Sequence, residues 1–307
     1  MAGDKTVRKD RDPIMLVCGV IFLVAAVVVI GCFVSDEWFP SGEKTASNGD
    51  KVTVEYTGTF YDEYGGTYAV VFDTNVSSIG NDTNIAKSND FTAKTSYSPL
   101  EFTIGKGTML KAFEESVIGH KVGDKYKIEL TAAQGYIGAS TEGYLNTSGN
   151  VMSTTVTMTK TDFAAAYSDV TLKDNGEVKF VSKYKWDAYA SYTDMGNAVL
   201  ITYVPEAGET YEVYKSGDTV VNYKVKTVSS GKITYDIEIK NPVKVGSTEI
   251  QMIKLDLGTK TIYITNIDGS DIIYKEGAER VNQPLFFEIK VLTIEWEQSS
   301  PRALARG

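Results

Sequence analysis

Histidine and cysteine are nearly absent from this chain of 307 residues, which holds the single His120 and two cysteines, Cys18 and Cys32. Both cysteines lie in or beside one apolar segment near the N-terminus, so neither a disulfide framework nor a cysteine zinc site can be built. One histidine likewise excludes a histidine-rich metal tail, and no metal or cofactor is expected. A positive charge balance is missing too. The formal net charge is -9, and phosphate binding needs a concentrated basic surface, so nucleic acid is not an expected partner. A repeat of fixed period is also lacking, which disfavours a solenoid. The length leaves room for about two domains of roughly 100–200 residues each.

What is present begins with PIMLVCGVIFLVAAVVVIGCFV at 13–34, an uncharged run long enough to cross a bilayer as a helix. Lys5, Arg8, Lys9 and Arg11 precede it, and Asp36 and Glu37 follow it. The positive-inside rule therefore puts residues 1–12 in the cytoplasm and the remainder outside, in a single-pass membrane protein. A cleaved signal peptide is one rival, although the run exceeds the usual apolar core of about 7–15 residues. Lipoprotein processing is a second, since Val29-Ile30-Gly31-Cys32 has the form of a lipidation box with Cys32 as the mature N-terminus. Residues 35–48 are polar, include Pro40 and Gly42, and read as a linker.

Folded sequence is expected from Gly49. Lys51 to Thr59 alternates, with Val52, Val54 and Tyr56 on the inner face, and Tyr68 to Asp73 reads as an apolar strand ending in a carboxylate. Residues 74–98, rich in Asn, Ser, Thr and Asp, read as a long surface loop. The organising stretch is Pro99 to Leu130, which reads as strand, glycine turn, short helix, glycine stop and strand. Thr108 is the expected N-cap, Met109, Phe113 and Val117 share one helix face, and Gly119 closes the helix. Tyr126, Ile128 and Leu130 then alternate with Lys125, Lys127 and Glu129. The fold expected from these elements is α+β, one short helix laid on an antiparallel sheet. His120 reads as an exposed helix-end residue. Asn75, Asn81 and Asn146 open N-x-S/T sequons, a pattern frequent in such loops.

The order VEYTG (54–58), FDT (72–74), PLEFTIGKG (99–107), MLKAFEESVIGHKVGD (109–124), Tyr136 and LFFEIKVLTIE (285–295) resembles the FKBP family of peptidyl-prolyl cis-trans isomerases. The resemblance implies an FKBP-like antiparallel half-barrel wrapped on a short helix, built from 49–136 and 284–297. Between them, 137–283 sits where SlyD-like and other long prokaryotic members carry an inserted chaperone domain. It reads as β-rich: VNYKVKTV (221–228) and KITYDIEIK (232–240) form a hairpin around Ser229-Ser230-Gly231, with further strands near 151–159, 198–204, 249–255 and 260–266. Asp162 to Tyr167 reads as a helical turn. In the closing strand Phe287, Ile289 and Val291 share a face, and Leu292 and Ile294 break the alternation as a bulge would. Residues 298–307 read as a tail.

The resemblance also implies a site. Tyr56, Asp73 and Tyr136 would be its catalytic polar groups, with Phe72, Leu100, Met109, Leu110 and Phe287 as apolar walls and Phe113 as floor. Three positions depart from the family pattern. Phe113 stands where eukaryotic members often have tryptophan, Leu100 stands where many have an aromatic wall, and QGYIG around Tyr136 lacks the usual acidic or proline residue. Tyr56, Phe72, Phe113 and Phe287 would be core in any such half-barrel, and Asp73 would serve as a turn residue without the motifs around it. The expected function is a membrane-anchored prolyl isomerase and folding helper whose partners are proline-containing unfolded polypeptides. The alternative is a chaperone that binds clients through Tyr184, Tyr189, Tyr192, Tyr203, Tyr211 and Tyr214 of the insertion, with a weak isomerase site.

Overall fold

The computed structural model describes residues 45–193, 197–247, 249–257 and 260–295. The apolar run at 13–34, the Cys32 box and the tail at 298–307 lie outside them. Among the described residues no helix is long and apolar enough to cross a membrane.

The first sheet is assembled from both ends of the described chain. Strand β1 (Lys51–Phe60) is flanked on one side by β2 (Val70–Thr74) and β3 (Leu100–Thr103), and on the other by β17 (Leu285–Glu295), which also pairs with β4 (Lys125–Leu130). All of these pairings are antiparallel. Register slips where Thr53 faces Thr293 but Val54 faces Val291, so Leu292 is the extra residue of a bulge at the position where alternation fails in the sequence. The inner face carries Val52, Val54, Phe102, Leu130, Ile289 and Val291, all buried. Across it lies α2 (Lys111–Ser116), which inserts Phe113 and, at its C-cap, Val117.

Three local expectations change here. Thr108 does not cap α2. The N-cap is Leu110, which has no side-chain cap bond, because a buried glutamate gathers the loop before the helix instead. The helix ends at its C-cap Val117, and two residues further on Gly119 takes φ +88 and donates its N–H to the carbonyl of Ala46, while the Ala46 N–H is donated to the carbonyl of His120. Ala46 is thereby buried and Ser47 hydrogen-bonds Asp50, so the end of the expected linker belongs to the fold. His120 is half-buried and stacked on Tyr126 at 3.6 Å, with Nδ1 3.2 Å from Asp124, rather than freely exposed at the helix end.

Residues 137–283 form three four-stranded sheets with a common plan. Meanders β8 (Val178–Val181), β9 (Asp187–Thr193) and β10 (Ala198–Tyr203); β11 (Thr210–Ser216), β12 (Thr219–Ser229) and β13 (Lys232–Lys240); and β14 (Glu249–Asp256), β15 (Thr261–Asp268) and β16 (Asp271–Lys275) follow one another. Each takes its fourth strand from the run leading in: β7 (Thr155–Thr159) joins β10, β6 (Asn150–Ser153) joins β13, and β5 (Glu142–Asn146) joins β16. Consecutive strands fanned into three sheets tie the sheets together. The β12–β13 hairpin closes through Ser230 and Gly231, both at positive φ (51 and 71), as a two-residue turn requires. Helix α3 (Lys160–Ala166) is capped by Thr159, whose Oγ1 accepts from the Asp162 N–H.

One core joins the three sheets, centred on Trp186, Tyr184, Tyr203, Tyr223 and Tyr235, all at most 5% exposed. Tyr184 and Tyr203 are therefore not adaptable surface aromatics. Met252 and Tyr263 of the last sheet instead belong to the core of the first sheet, so insertion and half-barrel share a packed boundary.

At that boundary Lys275 is 7% exposed and donates to the carbonyls of Glu279 and Val281. Burial lowers its pKa from 10.5 to about 8. Between those values the unfolded chain binds more protons, so stability is penalised fully below about pH 8 and rises with pH above it. The urea midpoint is expected to increase from about pH 7.5 to about pH 9.5, and Lys275→Met should flatten that rise.

Candidate active site

The site grows from the inner face of the first sheet. Phe60 stacks on Phe72 at 4.7 Å, Phe72 meets Phe287 edge-on at 5.6 Å, Phe287 meets Phe113 at 5.1 Å, and Phe113 meets Tyr56 at 5.9 Å. Phe72, Phe113 and Phe287 are buried, whereas Tyr56, Leu100, Met109, Leu110 and Tyr136 are half-buried against them. The result is a bowl with a buried aromatic floor and a half-buried rim.

Gly58 is required between its walls. A Cβ there would come within 2.6 Å of the Phe72 ring and 2.9 Å of the Phe287 ring. Gly58→Ala should force the rings apart, costing about 1–3 kcal/mol of stability and raising KM for a prolyl peptide, as steady-state kinetics beside a melting curve would show.

Polar groups line one side of the mouth. The Tyr56 hydroxyl donates to Asp73 Oδ2 at 2.6 Å, and Lys94 Nζ contacts Asp73 Oδ1 and the Thr74 carbonyl, each at 2.7 Å. Lys94 and Asp73 are each about a third exposed (37% and 32%), so the pair orients Asp73 more than it stabilises the fold. Burial, then the bond to Asp73, hold the Tyr56 phenol far above the ordinary tyrosine range, which keeps it a donor. Tyr136 is also raised by burial; Arg280 pulls it back and Asp73 pushes it up.

Tyr136 stands where the chain leaves the half-barrel, and it is held from the far end of the insertion. The Asn282 N–H donates to the Tyr136 carbonyl at 2.8 Å, Val281 bridges to Tyr136, and the Arg280 guanidinium lies 4.7 Å from its ring centroid. Residues 74–98 are not a loose surface loop. They carry α1 (Ser77–Gly80) and are clamped to the insertion: the Glu279 carboxylate accepts from Asn89 N, Asn89 Nδ2 and Asp90 N, and Asp90 accepts from Lys254 and Tyr263. This clamp presents Lys94 to Asp73. Asn75 has a structural task as well. Its Oδ1 accepts from the Tyr56 N–H and its Nδ2 donates to the Val54 carbonyl, and at 7% exposure it is closed to glycosylation.

Glu114, next to Phe113, is 2% exposed, and its carboxylate accepts from the N–H groups of Gly105, Gly107 and Met109. It fixes the turn that carries Met109 and Leu110 to the rim. The sequence reading missed Glu114, Lys94 and Arg280. Only Glu114 had a signal, its place inside the FEES helix of a recognised motif. Among the described residues no cluster of metal-ligating side chains occurs.

Residues 42–152 match the family model of the FKBP-type peptidyl-prolyl cis-trans isomerases. The chain carries an FKBP-type domain. The match indicates a peptidyl-prolyl cis-trans isomerase, with proline-containing polypeptides as substrates. No curated protein matches the chain. The FKBP match stops at residue 152, yet β17 completes the sheet between β1 and β4 and contributes Phe287 to the bowl.

Proposed function

We propose that the protein is a membrane-anchored prolyl isomerase that assists the folding of exported proteins, with its site in the Phe113 bowl. The carrying observation is the convergence of Tyr56, Asp73 and Tyr136 on the mouth of a buried aromatic floor formed by segments far apart in sequence. Rotation about an X-Pro bond must overcome about 18–20 kcal/mol of amide resonance, which weakens when the carbonyl loses water. In this reading Phe72, Phe113 and Phe287 receive the prolyl ring and exclude water. Met109, Leu110 and Leu100 close the apolar rim, the Tyr136 hydroxyl donates to a substrate carbonyl, and Asp73, oriented by Tyr56 and Lys94, faces the twisting amide. No covalent step is involved.

The isomerase unit in this account comprises 49–136 and 284–297, with 137–283 as a SlyD-like insertion. Residues 13–34 anchor it, N-terminus inside and folded part outside, unless lipidation at Cys32 replaces the span. A client-holding role for the insertion receives less support, because Tyr184 and Tyr203 are buried. The test is isomerisation of a short X-Pro peptide by the full chain. Asp73→Ala and Tyr136→Phe should each lower kcat/KM by roughly tenfold or more, and an unchanged rate in both would refute the site.

A further inference from the structure

At the mouth of the bowl lies a guanidinium that engages the Tyr136 side chain but, among the described residues, no carboxylate. Arg280 is exposed, lies over the Tyr136 ring, and lines a cavity of about 120 Å³ together with Phe60, Phe72, Ser88, Asp90, Ala278 and Glu279. It thus stands between two walls of the bowl, Phe72 and Tyr136. The neighbouring carboxylates are already engaged: Asp73 by Lys94 and Tyr56, Asp90 by Lys254 and Tyr263, and Glu279 by three N–H groups of Asn89 and Asp90. Among the described residues no carboxylate forms an ion pair with Arg280. Lys94 pairs with Asp73 and Lys254 with Asp90, which leaves Arg280 to face this cavity, in a chain whose formal net charge is -9.

We propose that Arg280 is a specificity-determining residue that selects substrates with an acidic side chain flanking the proline. The inference rests on the reading of the Phe113 bowl as the prolyl site. A planar guanidinium suits a carboxylate, and the Tyr136 ring beneath it limits the rotamers it can adopt. Such a device would direct the enzyme toward acidic stretches of its clients and away from basic ones.

The experiment compares kcat/KM for peptides that differ only in Glu, Gln or Lys immediately before, or immediately after, the proline. The wild-type chain should favour Glu over Lys by about three- to tenfold at one of the two positions at low ionic strength, a preference that fades near 1 M salt. Arg280→Gln should erase the preference, Arg280→Lys should restore part of it, and Arg280→Glu should invert it. Equal Glu and Lys rates in the wild type, or a preference unmoved in Arg280→Glu, overturn the proposal. A uniform loss across all three peptides in Arg280→Gln also overturns it, since that marks a positioning role through Tyr136. Absence of activity on every peptide would instead refute the isomerase site itself.

Discussion

Glu114→Ala is expected to lower stability by about 2–4 kcal/mol and to raise KM for an X-Pro peptide by at least roughly tenfold. The carboxylate is buried and is the shared acceptor for Gly105, Gly107 and Met109. Helix α2 has no side-chain cap, so no other group performs this task. Once it is removed, the turn that positions Met109 and Leu110 must find water as its partner, and the rim of the bowl loses definition. Glu114→Gln keeps the shape but offers one acceptor oxygen and a donor that faces other donors, so it should fall between wild type and alanine. The effect should appear mainly in KM, because Glu114 touches no reacting atom. Chemical denaturation and steady-state kinetics on the two variants check both parts, and a wild-type KM in Glu114→Ala would contradict the role.

Trp186→Ala should be the most damaging substitution in the insertion, at about 3–5 kcal/mol. Its ring is 1% exposed and meets Tyr184 at 4.9 Å, Tyr211 at 5.4 Å and Tyr203 at 6.2 Å, so it joins the first and second meanders. Next to it Tyr184 and Lys183 both bond the Asp256 carboxylate, which brings in the third. Among the described residues the buried indole N–H has no hydrogen-bond partner, an arrangement that is itself costly. Trp186→Phe removes that N–H while keeping most of the ring, so it should cost no more than about 1 kcal/mol. Urea unfolding separates the two variants, and equal losses would show that the indole edge, not the ring volume, supports the core. Since Met252 and Tyr263 pack into the half-barrel, a collapse of the insertion should also depress isomerase activity.

How much of this was legible in the sequence depended on range. Strands with one wet and one dry face announced themselves: Val52 and Val54, Tyr126 to Leu130, and even the Leu292 bulge followed from alternation alone. The hairpin at Ser230-Gly231 was readable from its turn residues. Strands β5, β8, β9, β11 and β16 were not, because they are short or half-exposed and their alternation is diluted by Tyr, Thr and Lys at boundary positions. Residues 74–98 carried no period, since their order comes from bonds between Asn89 or Asp90 and Glu279, about 190 positions away. The aromatic bowl was recoverable from the FKBP-like motifs. The charged groups at its mouth were not, because Lys94 lies in that aperiodic loop and Arg280 in the return from the insertion.

The measurement closest to the central claim is cis–trans exchange of a single Leu-Pro peptide followed by NMR with catalytic amounts of the full chain, wild type against Phe113→Ala. Phe113 touches Tyr56, Phe102 and Phe287 and forms the floor, so its removal should abolish most of the acceleration at a temperature where both chains remain folded. The account predicts exchange faster by at least roughly tenfold with the wild type and near the uncatalysed rate, tens to hundreds of seconds, with the variant. No acceleration by the wild type, or equal acceleration by both, would contradict it.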